Sequence, residues 1–207
     1  MPLPLWIELA KVLPALAWVT LAAVLAHRLL PVVVRDVLPR MSGLKAFGVE
    51  LNLARQAFDA AMEERGLRAS APRAGAPLRR AQTAAPALTR LRVLWVDDCP
   101  ENNTNEVRML GALGASVEQV TSTADALGRL RRGRYDVVLS DMARGSQADA
   151  GRELLREMRR AGLRQPVVFY VGQVDAERGT PPGAFAIADR PDDLLNFVID
   201  VAERLDR

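Results

Sequence analysis

Three carboxylates and one guanidinium have the types and spacing to do chemistry in this 207-residue chain: the adjacent pair Asp97 and Asp98, then Asp141, then Arg190. Each follows a short apolar run: RVLWV before the acidic pair, YDVVLS before Asp141, and AFAIAD before Arg190. Three acids gathered at one place repel one another, and a hard divalent cation with oxygen ligands neutralises them. The same cation can bridge the oxygens of an incoming phosphate while a carboxylate attacks in line. The plainer alternative is three solvated acids at a surface, used only for partner contacts.

Other chemistry is thinly supplied. Cys99 is the sole cysteine, so no intrachain disulfide forms and a reducing compartment is the simpler home. It follows Asp98 directly, and nearby carboxylates discourage a thiolate. His27 is the only histidine and lies at the end of an apolar run, which comes close to excluding a histidine-base mechanism. The two lysines, Lys11 and Lys45, both precede the acids. Net charge is +3, but residues 66 to 92 carry six arginines and no acid. Residues 93 to 207 hold 15 arginines against 19 acids, so the basic balance comes largely from one short stretch.

The elements that must position the acids read clearly from Arg92 onward. RVLWV, YDVVLS and PVVFYV are apolar runs of strand length, with ASVEQV and AFAIA as weaker strands. Between them lie helical stretches: Pro100 to Leu113, ADALGRLRR behind Ser122 or Thr121 as cap, AGRELLREMRRAG, and the final PDDLLNFVIDVAERL. Strict alternation predicts an α/β domain, a five-stranded parallel, doubly wound sheet with helices on both faces. In such sheets ligands bind beyond the carboxyl ends of the strands, where Asp97, Asp98 and Asp141 fall. Gly172, at the end of the fourth strand, is a further candidate ligand-binding position.

Ahead of this domain, Val12 to Ala26 is uncharged and apolar, flanked by Lys11 and Arg28. A membrane-spanning helix needs about 20 mostly apolar residues, and the flanking charges can snorkel. Arg28, Arg35, Arg40 and Lys45 follow the run, which puts its C-terminal side in the cytoplasm. The organisation expected is a transmembrane anchor and juxtamembrane segment over 1–40, then a short strand (GLKAFGVELNL) and helix over 41–66. An Ala/Pro/Arg-rich flexible linker over 67–90 precedes the α/β domain over 91–207. In a bacterial cell this is a single-pass protein of the inner membrane with its domain in the cytoplasm.

VLWVDDCPENN, VVLSDM, PVVFYVG and ADRP, in that order and spacing, resemble the receiver domain of two-component response regulators, whose topology is flavodoxin-like. The run SDM-R…AG-LL also resembles a receiver-like bacterial subgroup. The resemblance implies magnesium held by Asp97, Asp98, Asp141 and the carbonyl of Ala143, with Asp141 taking the phosphoryl group. It implies Arg190, in place of the family's lysine, as partner to the phosphoryl charge. Departures are specific. Val171 stands where the family carries a hydroxyl, and arginine has a wider fork than lysine. GQVDAERGTPPG leaves little room for the usual fourth helix, and the loop after Asp141 is about two residues longer than common. The resemblance also implies a sensor kinase or other protein partner. No DNA-binding domain is expected.

Three functions follow. The first is a membrane-anchored signalling module that docks a partner, controlled by phosphorylation of Asp141 or degenerate and phosphorylation-independent. The second is a metal-dependent nucleotide-processing enzyme on the same fold, opposed by the lack of a glycine-rich loop after the first strand. The third is a structural membrane subunit, with Ala15, Ala17, Ala22 and Ala23 available for helix association in a homo-oligomer.

Overall fold

The computed structural model describes residues 38–67 and 71–206. The expected membrane span lies outside them. Among the described residues no helix is long and apolar enough to cross a membrane. The chain divides into two units, Met1–Val49 and Glu50–Arg207.

Five parallel strands form one sheet: β1 (Arg92–Val96), β2 (Ser116–Val120), β3 (Val137–Ser140), β4 (Val167–Tyr170) and β5 (Ala186–Ala188), in the order β2-β1-β3-β4-β5. β1, β3 and β4 lie inside the sheet, and every β3 and β4 residue is buried, which is why these segments are unbroken apolar runs. Alternate residues point to opposite faces. Val93, Trp95, Leu139, Val168 and Tyr170 face one core, and Leu94, Val96, Val138, Phe169 and Val171 face the other. α4 (Thr104–Ala112) and α7 (Pro191–Leu205) cover the first face, with Met109, Leu110, Leu194 and Val198 buried. α5 (Thr123–Arg132) and α6 (Ala150–Arg160) cover the second. The Ser122 hydroxyl accepts the Asp125 N–H at 3.1 Å and caps α5. No helix intervenes between β4 and β5 among the described residues, as the short Gly/Pro-rich segment required.

The region before β1 departs from the expectation. GLKAFGVELNL is not a strand: it lies within helix α1 (Leu38–Glu64). The segment expected as a flexible linker holds α2 (Ala71–Thr83) and α3 (Ala85–Leu88). For the second of these segments the physical reason is alanine. It is the best helix former, and alanines among few larger residues make a contact face that hydropathy understates. Ala54, Ala57, Phe58 and Met62 of α1, Leu78 and Ala81 of α2, and Leu88 of α3 join the core formed by α4 and α7. Arg80 fastens α2 to α7 through Asp200 at 2.5 Å and Glu203 at 2.7 Å. Phe58 is fully buried, which contributes about 2–3 kcal/mol of transfer free energy.

Candidate functional site at the strand ends

Parallel pairing brings the three acids to one edge of the sheet. Val96 is in register with Ser140, so Asp97 and Asp141 are the next residues along neighbouring strands. The Asp141 N–H donates to the Val96 carbonyl at 3.0 Å, locking the two ends together. Asp97 is buried and its carboxylate is fully oriented. Oδ1 accepts the Cys99 N–H at 2.8 Å and Oδ2 accepts Asn103 Nδ2 at 2.7 Å. Asp98 is exposed, and its Oδ2 accepts the Gly145 N–H at 2.7 Å across the mouth of the site. Gly145 sits at φ +53°, a left-handed conformation that suits glycine. It turns a small loop closed by paired Arg144 and Gln147 main-chain bonds, which absorbs the extra length after Asp141.

Asp141 is half-buried, and Oδ1 accepts the Met142 N–H at 2.7 Å. Burial pushes its carboxyl above the usual range, and the charges of Asp97 and Asp98 push the same way; the Met142 N–H and Arg144 oppose them. Cys99 is likewise pushed up, chiefly by Asp98, which keeps the thiol protonated as the sequence suggested.

Arg144 carried no assigned role in the sequence, although it is the arginine of the SDM-R motif. It is 7% exposed. Nη1 donates to Ser140 Oγ at 2.9 Å and to the Asp141 carbonyl at 3.2 Å. Nη2 donates to Thr123 Oγ1 at 2.9 Å and to the Ala150 carbonyl at 2.8 Å. One fork therefore ties the end of β3 to the first residues of α5 and α6. Its four partners are neutral, and its charge is balanced through space by Asp141, Asp98 and Asp97, while burial lowers its pKa. An arginine in a polar loop reads as solvated, so sequence alone gave no signal for this.

Gly151 is the second residue the sequence did not single out. A Cβ there would meet the Asp141 carbonyl at 2.5 Å and Phe169 Cε1 at 2.8 Å. Only glycine lets the start of α6 pass this close behind the acid.

The remaining candidates are more scattered. Ala143 is exposed in the loop two residues beyond Asp141. Gly172 borders open space. Arg190 is drawn to the start of its own helix, with Nε and Nη2 donating to Asp192 at 3.0 and 3.2 Å. The bond to Asp192 is the main cause of its raised pKa. Thus Arg144, not Arg190, is the cation fixed beside Asp141.

The donor set of Asp97, Asp98, Asp141 and the Ala143 carbonyl is all hard oxygen; burial is the main cause of the raised Asp141, and the lesser part that comes from Asp97 and Asp98 is what a divalent cation relieves. The set therefore fits magnesium by chemistry. Among the described residues no three acidic, histidine or cysteine side chains are drawn together as formed metal ligands. Each carboxylate instead accepts a nearby N–H.

No family model matches the chain. A gliding motility regulatory protein of Myxococcus xanthus is 42% identical over 60 residues, which are 29% of this chain and 8% of that protein. The match thus spans less than a tenth of the relative's length. The receiver domain of the Francisella response regulator 1452 is 19% identical with a TM-score of 0.51, covering 56% of this chain and 99% of that one. A two-component response regulator from Clostridium difficile is 16% identical with a TM-score of 0.50, covering 57% and 100%. At these identities the likeness is one of fold. The five-stranded body of this chain has the fold of a response-regulator receiver domain.

Proposed function

We propose that this chain is a membrane-tethered, receiver-type signalling module in which Asp141 accepts a phosphoryl group and the domain docks a protein partner. One observation carries the reading. Asp141 stands one residue beyond β3, next to the Asp97–Asp98 pair, with its carboxylate destabilised by burial and by those two neighbours. Asp97, Asp98, Asp141 and the Ala143 carbonyl would hold magnesium, which supplies charge neutralisation and orders phosphate oxygens. The protein's own part is positioning. Met142 N–H holds Asp141 Oδ1, so Oδ2 is the attacking oxygen. It forms the new bond to phosphorus as the bond from phosphorus to the donor's leaving group breaks, and that group departs with the electron pair. Asn103 and the Cys99 N–H keep Asp97 oriented, and Arg144 lends fixed positive charge. The apolar run Val12 to Ala26 anchors the module to a membrane, with a sensor kinase or other partner on the cytoplasmic side.

A second reading, a docking module that needs no phosphorylation, is favoured by Val171, which offers no hydroxyl, and by Arg190, which is held by Asp192. One experiment separates the two. The full chain in detergent is incubated with acetyl phosphate and Mg2+, and intact mass is recorded. Gain of one phosphoryl group by wild type, and none by Asp141→Asn or without Mg2+, is the expected result. Unchanged mass, whether or not Mg2+ binds, overturns the phosphoacceptor reading in favour of the second.

A further inference from the structure

Arg65 lies just beyond the C-terminal end of α1, yet its side chain ends at the far edge of the sheet. Nη1 donates to the carbonyl of Val171 at 2.7 Å and to that of Asp189 at 2.9 Å. The guanidinium stacks on the Tyr170 ring, 4.0 Å from its centroid. Nε lies 3.7 Å from Glu106 Oε1, which accepts the Tyr170 hydroxyl at 2.6 Å. Glu106 and Tyr170 are 1% and 3% exposed, so this is a buried polar cluster and not a surface pairing.

The two carbonyls are the first beyond β4 and β5, where strand pairing ceases to provide donors. Val171 N–H donates to Ala188 at 2.9 Å, so the two strand ends are also fastened to each other. Ser140 is in register with Phe169, and continuing that register sets Asp141 beside Tyr170 and Met142 beside Val171. The segment Arg65 grips is therefore one wall of the acidic edge. At the other end, Phe58 and Met62 of α1 are buried in the core, so Arg65 cannot shift without the helix.

We propose that Arg65 is a positioning residue that couples helix α1 to the strand ends framing the acidic pocket: undocking α1 releases Val171 and Asp189, and a ligand that reshapes that wall loosens or tightens α1. The helix that precedes the receiver body thereby becomes its regulator in cis. Use of the pocket for phosphoryl chemistry rests on the reading above; the mechanical coupling does not.

Amide hydrogen exchange on the full chain tests it. Arg65→Met is expected to speed exchange about tenfold or more in residues 58–67 and also in 171–176 and 186–190, while β1 and β3 stay protected. Arg65→Lys keeps a charge near Glu106, but its ammonium ends one bond short of Nη1 and loses the planar stack on Tyr170, so its effect on 171–190 is smaller but present. Acceleration confined to 58–67, with 171–190 unchanged, reduces Arg65 to a helix anchor and overturns the proposal. Should Arg65→Met fail to fold, Phe58→Ala carries the test. It loosens α1 without touching Arg65, and faster exchange at 171–190 supports coupling whereas none overturns it. Mg2+ with beryllofluoride, added to wild type, is expected to change exchange at 58–67. No response to that probe anywhere, the acidic edge at 97–103 and 141–147 included, overturns the phosphoacceptor reading and leaves the coupling standing; a response at that edge with none at 58–67 overturns the coupling.

Discussion

Replacing Arg144 by methionine tests whether a buried guanidinium organises the acidic edge. Methionine keeps most of the apolar stem and removes the fork, so four hydrogen bonds are lost: to Ser140 Oγ, the Asp141 carbonyl, Thr123 Oγ1 and the Ala150 carbonyl. Bonds from a charged donor contribute about 1.5–3 kcal/mol each, but the substitution also removes the desolvation penalty of a buried charge, several kcal/mol. The difference is a net loss of about 3 kcal/mol, in the range found when buried charged networks are broken. For a unit of this size that lowers Tm by about 10 °C, read by circular dichroism or calorimetry. Arg144→Lys retains charge but reaches one side of the fork at a time, so about half the loss is expected. Mg2+ binding should move the other way, becoming tighter in folded Arg144→Met, because a cation that offsets Asp97, Asp98 and Asp141 is gone. A Tm within about 2 °C of wild type would refute the reasoning, since it would mean the fork adds nothing beyond its stem.

Gly151→Ala places a methyl 2.5 Å from the Asp141 carbonyl and 3.1 Å from Met142 Cα, so backbone must shift; a loss of about 2–3 kcal/mol in urea unfolding is expected. Phe58→Ala should lose about 3–5 kcal/mol in the same assay, and a loss below about 1 kcal/mol would remove α1 from the core. Both tyrosines have pKa values raised above 10, Tyr170 by burial and Glu106, Tyr135 by burial and Glu118. A phenol held protonated by the fold contributes stability that is full below pH 10 and lost as pH rises above it. Near-ultraviolet phenolate absorbance should therefore lag free tyrosine and rise together with alkaline unfolding.

The sheet was legible because its strands are apolar runs punctuated by glycine, and strand register then fixed the acids. Ser140 opposite Phe169 and Val96 opposite Ser140 leave Asp97 and Asp141 nowhere else to go. Side-chain commitments were not legible. Arg190 matches a motif in type, but Asp192 two residues on captures it, a choice that motif spacing does not encode. Arg144 looks like a solvated loop residue until Ser140, Thr123 and Ala150 converge on it from three elements. Arg65, Glu106 and Tyr170 are separated by 41 to 105 positions in sequence, beyond any local pattern. The Ala/Pro/Arg-rich segment was misread because composition weighs side-chain size. A helix that packs through Ala81 and Leu78 needs little of it.

Helices α1 to α3 have a practical corollary for anyone excising the five-stranded body. A fragment begun at Arg92 would match solved receiver domains in length yet shed Phe58, Met62, Leu78 and Leu88, opening the core they share with Leu195, Val201 and Ala202. Such a truncation would bare a greasy flank, associate with itself, and report its own stickiness as biology. A piece worth expressing keeps helix α1 whole, and with it Phe58 and Met62.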